Sequence, residues 1–388
     1  MRTTKNTTKK LSLAYSTWDD KELNAIQDVI DSGMFTMGEK VNEFESNFSK
    51  YLGMNYSVMV NSGSSANLLM IATLFVQGKL KKGDEVIVPA VSWSTTFLPL
   101  QQYGLKVKFV DIDLHTLNID LETLRQAITK DTKAIFIVNL LGNPIDKNKL
   151  NEIVDTSKIQ IIEDNCESLG ATFNGQKSGT FGQMSSHSFF FSHHISTMEG
   201  GMISTQDEEQ YLILKSLRAH GWTRDLPESS KFNKKSDDTF YNMFNFVMPG
   251  YNLRPLEMSG AIGIEQLRKL DSFVEYRRKN AKAFQEVMWG KENILIQKDT
   301  CKSSWFGFSL INKEKDISPS NFRRKVTDLG FEIRPIVAGN FTRNEVINFF
   351  DYEIFGDLKN ADYLHENGLF IGNNSVDISE DLQRLANL

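Results

Sequence analysis

Two adjacent histidines, His193 and His194, stand in the segment Ser188–Gly201 (SFFFSHHISTMEGG), between an apolar triplet and a polar stretch ending in two glycines. The whole chain holds six histidines in 388 residues. Imidazole moves protons near neutral pH, so proton transfer is the chemical reading; a surface turn or a packed core histidine is the plain one. Adjacent residues on a strand or loop point in different directions, so only one of the pair faces a given ligand, and His194 is assigned to packing or to supporting the residues around the ligand. No metal is expected, because adjacent histidines without a nearby Asp or Cys do not match zinc spacings.

Three further segments carry groups suited to a ligand. Asn61–Asn67 (NSGSSAN) is a small-residue turn leading into a helix. Gly63 there permits close backbone approach, and the amides near Ser64 would meet an anion such as phosphate at a helix N-terminus. The same residues also read as an ordinary capped helix start. In Ile161–Ser168 (IIEDNCES), acids emerge where an apolar strand ends. Asp164 either caps a turn or holds a cationic ring nitrogen protonated, and Glu167 would then reach a ring hydroxyl. Pro89–Thr96 (PAVSWSTT) puts Trp93 just past a strand end, where it is either core or the cover of a flat cofactor. His220, in Arg218–Trp222 (RAHGW), follows a helix-like run and is a candidate substrate contact or a helix C-terminal partner.

These segments need a scaffold that brings strand ends together. Tyr56–Val60, Glu85–Val88, Val107–Val110, Ala134–Val138 and Ile159–Ile162 are short and branched-rich, which predicts buried strands. Helical periods such as Ser65–Phe75 separate them, and this alternation gives a mostly parallel sheet covered on both faces, with its active site at the strand carboxyl ends. From Ala261, apolar residues recur through Ile264, Leu267, Leu270, Val274, Ala281 and Phe284 in a charged segment, which predicts a long amphipathic helix. Beyond it, strands at Trp305–Ile311 and Phe331–Pro335 and a helix at Ser318–Leu329 predict a smaller α+β unit.

A net charge of -5 with dispersed Lys and Arg argues against nucleic acid and anionic membranes as partners. The polar N-terminus, MRTTKNTTKK, reads as a frayed tail without a cleavage-like signal, so a cytoplasmic protein is expected. Cys166 and Cys301 are too few for the usual four-cysteine iron-sulfur site, and no such cluster is expected.

Taken in order, Ser32–Gly38, Asn61–Ala66, Val88–Ala90, Val110–Asp113, Glu163–Asp164, Glu199–Gly201 and Gly250–Arg254 resemble the sugar aminotransferase family of fold-type I pyridoxal-phosphate enzymes. The resemblance implies a three-layer α/β/α, aspartate-aminotransferase-like fold. It divides the chain into a cofactor-binding domain at residues 1–260, whose first thirty or so residues pack on the smaller unit, and a linking helix with a small C-terminal domain at 261–388. It implies a homodimer with shared sites, in which Gly63, Ser64 and Ser188 bind the cofactor phosphate, Asp164 pairs with the ring nitrogen, Trp93 stacks, and Asn252 reaches the neighbouring subunit's phosphate.

Where most members carry the lysine that binds the cofactor covalently, this sequence has His193. That departure resembles the subgroup that removes the C3 hydroxyl of 4-keto-6-deoxy sugars, and the cysteine count points to the kind that needs no iron-sulfur cluster. The implied activity is C3 dehydration of a GDP-linked 4-keto-6-deoxy sugar for surface polysaccharide synthesis. Pyridoxal or pyridoxamine phosphate is the cofactor, L-glutamate the amino donor and His193 the proton carrier. Arg334, in the segment Arg334–Arg343, and Arg254 join His220 as candidate substrate contacts. A nucleotide-sugar aminotransferase, or the same dehydration on a heptose, remains an alternative.

Overall fold

The computed structural model describes residues 10–233, 238–242 and 244–388, so the expected tail lies outside it except for Lys10. The strands are β1 (Tyr56–Val60), β2 (Glu85–Pro89), β3 (Lys106–Val110), β4 (Thr132–Val138), β5 (Gln160–Asp164), β6 (Thr172–Phe173), β7 (Gln176–Lys177), β8 (Met184–Ser188) and β9 (Gly201–Thr205). They continue with β10 (Ile294–Leu295), β11 (Gly307–Asn312), β12 (Ile333–Arg334), β13 (Asp351–Ile354) and β14 (Gly368–Gly372). The first seven helices are α1 (Asp20–Ser32), α2 (Glu39–Leu52), α3 (Gly63–Val76), α4 (Ser94–Gln102), α5 (Leu121–Ala127), α6 (Lys147–Ile153) and α7 (Glu208–Arg218). The remainder are α8 (Thr239–Asn242), α9 (Glu257–Met288), α10 (Pro319–Asp328), α11 (Lys359–Asn367) and α12 (Ser379–Leu382).

Eight strands form one sheet in the order β1-β9-β8-β5-β4-β2-β3-β13, and only β9 runs against its neighbours. Alternation within each strand feeds two cores. Val86, Val88 and Phe136 pack on the side of α3 and α7, while Ile87, Ile135 and Ile137 pack against Leu124 of α5 and Leu150 of α6. Burial on both faces explains why these strands read as unbroken apolar runs.

A second, antiparallel sheet has the order β10-β11-β14-β12. It begins later than the sequence suggests, because Trp305 takes a left-handed conformation, φ 48°, that a strand excludes. Phe331 is not in β12 either; it bridges Leu11, whose N–H donates to Gly330 O at 2.8 Å.

The 32-residue α9 is about 48 Å long. Near its start it lies so close to α2 that a Cβ at Gly260 would stand 2.6 Å from Val41 N, and one at Gly263 2.5 Å from the Phe44 ring. Near its end Ala281, Phe284 and Met288 join the core of the small sheet with Phe308 and Phe331. β13 crosses the expected division at residue 260: it comes from chain beyond α9, yet pairs in parallel with β3.

A buried ion pair locks α2 to α7 beneath β1. Arg218, 1% exposed, bonds Glu45 Oε1 and Met59 O, and Glu45 also accepts from Met59 N at 2.8 Å. Removing one member of such a pair strands the other charge, at a cost of about 3–5 kcal/mol. Glu45→Leu should therefore lose about that much in urea denaturation, and adding Arg218→Met should restore most of it.

Candidate active site

A cavity of about 310 Å³ opens at the carboxyl ends of the central parallel strands. Gly63, Ser64, Trp93, Asp164, Glu167, Ser188, His193 and Arg334, all singled out in the sequence, line it. Asn252 and Arg254 do not. They line a separate cleft with Thr36, Trp222 and Leu256, where Arg254 Nε donates to Asn252 Oδ1 at 3.0 Å. Within one chain, then, the expected substrate contact of Arg254 lies away from His193. His220 is absent from both linings. It follows the C-cap of α7 with φ 63°, donates its N–H to Tyr251 O at 2.6 Å, and sets its ring tilted at 4.8 Å from that of Trp222.

The anion cradle is built by the turn from β1 into α3. Ser62 caps the helix, accepting from Ser65 N at 3.1 Å, and the first intrahelical bond runs from Ala66 N to Ser62 O. The amides of Gly63 and Ser64 precede that bond and carry the positive end of the helix dipole. A Cβ on Gly63 would stand 2.7 Å from Ser188 Cβ and 3.0 Å from Cys166 Sγ, so only glycine lets this turn reach the end of β8.

Asp164 ends β5 with three donors. Asn67 Nδ2 at 2.9 Å and Thr96 Oγ1 at 2.7 Å share Oδ2, and Cys166 N reaches Oδ1 at 3.2 Å. The sequence reading missed Asn67 and Thr96, although both lie inside segments it quoted; helix geometry turns them toward Asp164. Trp93 is 55% exposed at the start of α4, with its indole forming cavity wall.

Glu167 accepts from Leu141 N at 3.0 Å, and burial pushes its carboxyl up to about 7 against the pull of Arg334. Burial first, then Arg334 and Arg277, push the His193 imidazole down to about 3, so it is neutral at neutral pH. Its Nδ1 is buried without a hydrogen-bond partner. The ring of Phe306, another residue the sequence reading missed, lies 5.2 Å from it. His194 is 1% exposed and bonds Ser304 O through Nε2 at 3.2 Å. Arg334 lies 4.5 Å over Phe370, and its Nε is buried without a partner.

A glycine-lined cradle at a helix N-terminus, an acid held by three donors and an open indole suit pyridoxal phosphate, a flat pyridinium bearing an anion. No lysine is among the described residues lining the cavity. The profile of the DegT/DnrJ/EryC1/StrS aminotransferase family matches residues 16–387. The chain belongs to that family. It is 59% identical over 381 residues to a GDP-4-keto-6-deoxy-D-mannose 3-dehydratase of Yersinia pseudotuberculosis, covering 97% of each chain. The Escherichia coli GDP-4-keto-6-deoxy-D-mannose 3-dehydratase with bound hydrated pyridoxal phosphate is 54% identical, with a TM-score of 0.96 over 98% of this chain and 99% of that one. A GDP-4-keto-6-deoxymannose 3-dehydratase holding a trapped cofactor-glutamate geminal diamine is 55% identical, with a TM-score of 0.95 over 97% and 98%. The aminotransferase-like α/β fold expected from the sequence is the one observed. No helix among the described residues is long and apolar enough to cross a membrane.

The raised Glu167 carboxyl has a consequence for stability. Its folded value of about 7 exceeds its ordinary 4.5, so the folded state binds the extra proton between those values. Its contribution is full below pH 4.5 and is lost as pH rises through 7. Glu167→Gln should gain stability relative to wild type across that window, by at most about 1.4 kcal/mol per pH unit. Denaturation of both cofactor-free proteins at several pH values measures the difference.

Proposed function

We propose that the protein is a C3 dehydratase of a GDP-linked 4-keto-6-deoxy sugar that takes its amine from L-glutamate. The observation that carries this reading is a neutral histidine, His193, in a family cofactor site whose described lining holds no lysine. Its 54–59% identity to enzymes of that name supports it.

When bound, pyridoxal or pyridoxamine phosphate supplies an aldehyde or amine for exchange with glutamate and with a C4 ketone, and a protonated ring that accepts an electron pair. Gly63, Ser64 and Ser188 would hold the phosphate, Asp164 would pair with the ring nitrogen and Glu167 with the ring hydroxyl, and Trp93 would pack against the ring. His193 Nε2 takes a proton from the carbon beside the transferred amine and, as imidazolium, gives it to the oxygen leaving C3. A site that disfavours imidazolium makes it a strong acid, which suits that delivery. The atoms balance with glutamate as reductant: sugar and glutamate give the 3-deoxy sugar, 2-oxoglutarate and ammonia. No electron carrier is required.

Asn252 and Arg254 lie outside this cavity but border a cleft with Trp222 and exposed Leu256, and Phe35, Phe240 and Phe246 are exposed as well. We assign these residues to a homodimer interface through which Asn252 reaches the partner's phosphate. Two unpaired thiols suit a reducing, cytoplasmic setting.

Incubation with GDP-4-keto-6-deoxymannose, glutamate and cofactor should release ammonia and 2-oxoglutarate in equal amounts with the deoxy sugar. Nitrogen retained on the sugar would instead identify an aminotransferase. Borohydride treatment followed by denaturation should leave the polypeptide without attached cofactor. His193→Asn should keep the fold and cofactor binding while lowering turnover on the order of 100-fold or more, as measured by 2-oxoglutarate release.

A further inference from the structure

We propose that Arg277, which does not line the cavity, is a positioning residue for His193: it fixes the segment carrying Phe306 and sets a buried positive charge beside the histidine pair. The claim rests on His193 being the proton carrier.

Arg277 is 4% exposed on α9. Its Nη1 donates to Phe306 O at 3.0 Å and to Asn373 O at 3.4 Å, while Asn373 Nδ2 returns bonds to Arg277 O at 3.0 Å and Trp305 O at 2.9 Å. From the other side, Ser304 N reaches Gly142 O at 2.9 Å, Phe306 N reaches Leu141 O at 3.1 Å, and His194 Nε2 holds Ser304 O. A Cβ at Gly142 would stand 2.4 Å from Trp305 N, so the two segments touch backbone to backbone. A tryptophan persists in the left-handed region only where its surroundings over-determine it, and Trp305 at φ 48° sits at the centre of this clamp. The next residue is Phe306, whose ring walls His193 at 5.2 Å and His194 at 5.7 Å.

The charge needs a reason of its own. Among the described residues, Arg277's hydrogen bonds go to carbonyl oxygens and none to a carboxylate, and its Nε has no partner. Burial lowers it only to about 10, so it stays cationic. A buried guanidinium without an acid is costly, and an apolar side chain would avoid that cost. Beside the histidines its effect is to disfavour imidazolium, in the same sense as Arg334 of β12. Asp164, Glu167 and Glu199 line the same cavity and, when ionised, would act in the opposite sense. Arg277 would thereby keep Nε2 a free base, with Phe306 holding the ring in place.

The test is the titration of His193 in the cofactor-free protein, followed by NMR of 13C-labelled histidine and assigned with His193→Asn, which does not depend on turnover. Wild-type His193 should protonate only in strong acid, with its midpoint near pH 3. Arg277→Met should make His193 easier to protonate by on the order of tenfold or more, about one pH unit. Arg277→Lys keeps the charge but not the fork, so it should leave that midpoint in place while lowering kcat more than KM. If Arg277→Met does not fold, Arg277→Gln replaces it with the same expected shift. An unmoved midpoint in a folded uncharged variant overturns the proposal, as does an equal shift in Arg277→Lys or the failure of both uncharged variants to fold. Wild-type enzyme inactive on GDP-4-keto sugars would count against the dehydratase reading and leave the titration result to stand.

Discussion

Two places where a methyl group has no room organise the site. A Cβ at Gly63 would overlap Ser188, and one at Gly201 would stand 2.3 Å from Ser62 O. The turn from β1 into α3 therefore nests inside the connection between β8 and β9, and that connection carries His193. One close approach thus joins the anion cradle to the proton carrier. Its backbone contacts leave little freedom for either to drift, and such rigidity is what positions reacting groups.

The cavity separates its ionisable groups by environment. Asp164 is surrounded by donors from Asn67, Thr96 and Cys166, which orient it as a hydrogen-bond acceptor. Burial lifts Glu167 to about 7 and holds His193 near 3, so one is poised between proton states while the other waits as a neutral base. Groups with proton affinities pushed apart are how one cavity performs acid and base steps together.

Both halves of the chain build this cavity. Phe306, Arg334 and Val337 close it from the side of the small sheet, and everything else in its lining comes from residues 62–199. The helix α9 holds the halves in register, packed on α2 at one end and within the small-sheet core at the other. Without that tie the wall behind His193 would have no fixed position. The return of β13 to the edge of the large sheet adds a second tie, reinforced by Lys106 and Glu353 at 2.7 Å.

The alternation of apolar runs and helical periods placed β1 to β5, because burial on both faces writes itself into those strands, whereas β8, the polar but buried run Met184–Ser188, and the short β13 went unread. Once those strands were placed, their carboxyl ends named Gly63, Trp93, Asp164 and Glu167; Ser188 entered through the family resemblance and His193 through the histidine pair, and the fold brings all six to one cavity. Side-chain direction was not legible in the same way. Asn67 and Thr96 meet Asp164 only because two helices begin side by side, and Phe306 reaches His193 across more than a hundred residues of chain. Arg254 and His220 looked like members of the same site and lie elsewhere in the chain's own fold. The strand expected at Trp305 starts later, since a clamp from α9, Gly142 and His194 outweighs local preference. Local pattern records whether a residue is buried; which distant group it meets is decided by how whole elements pack, and no residue carries that information by itself.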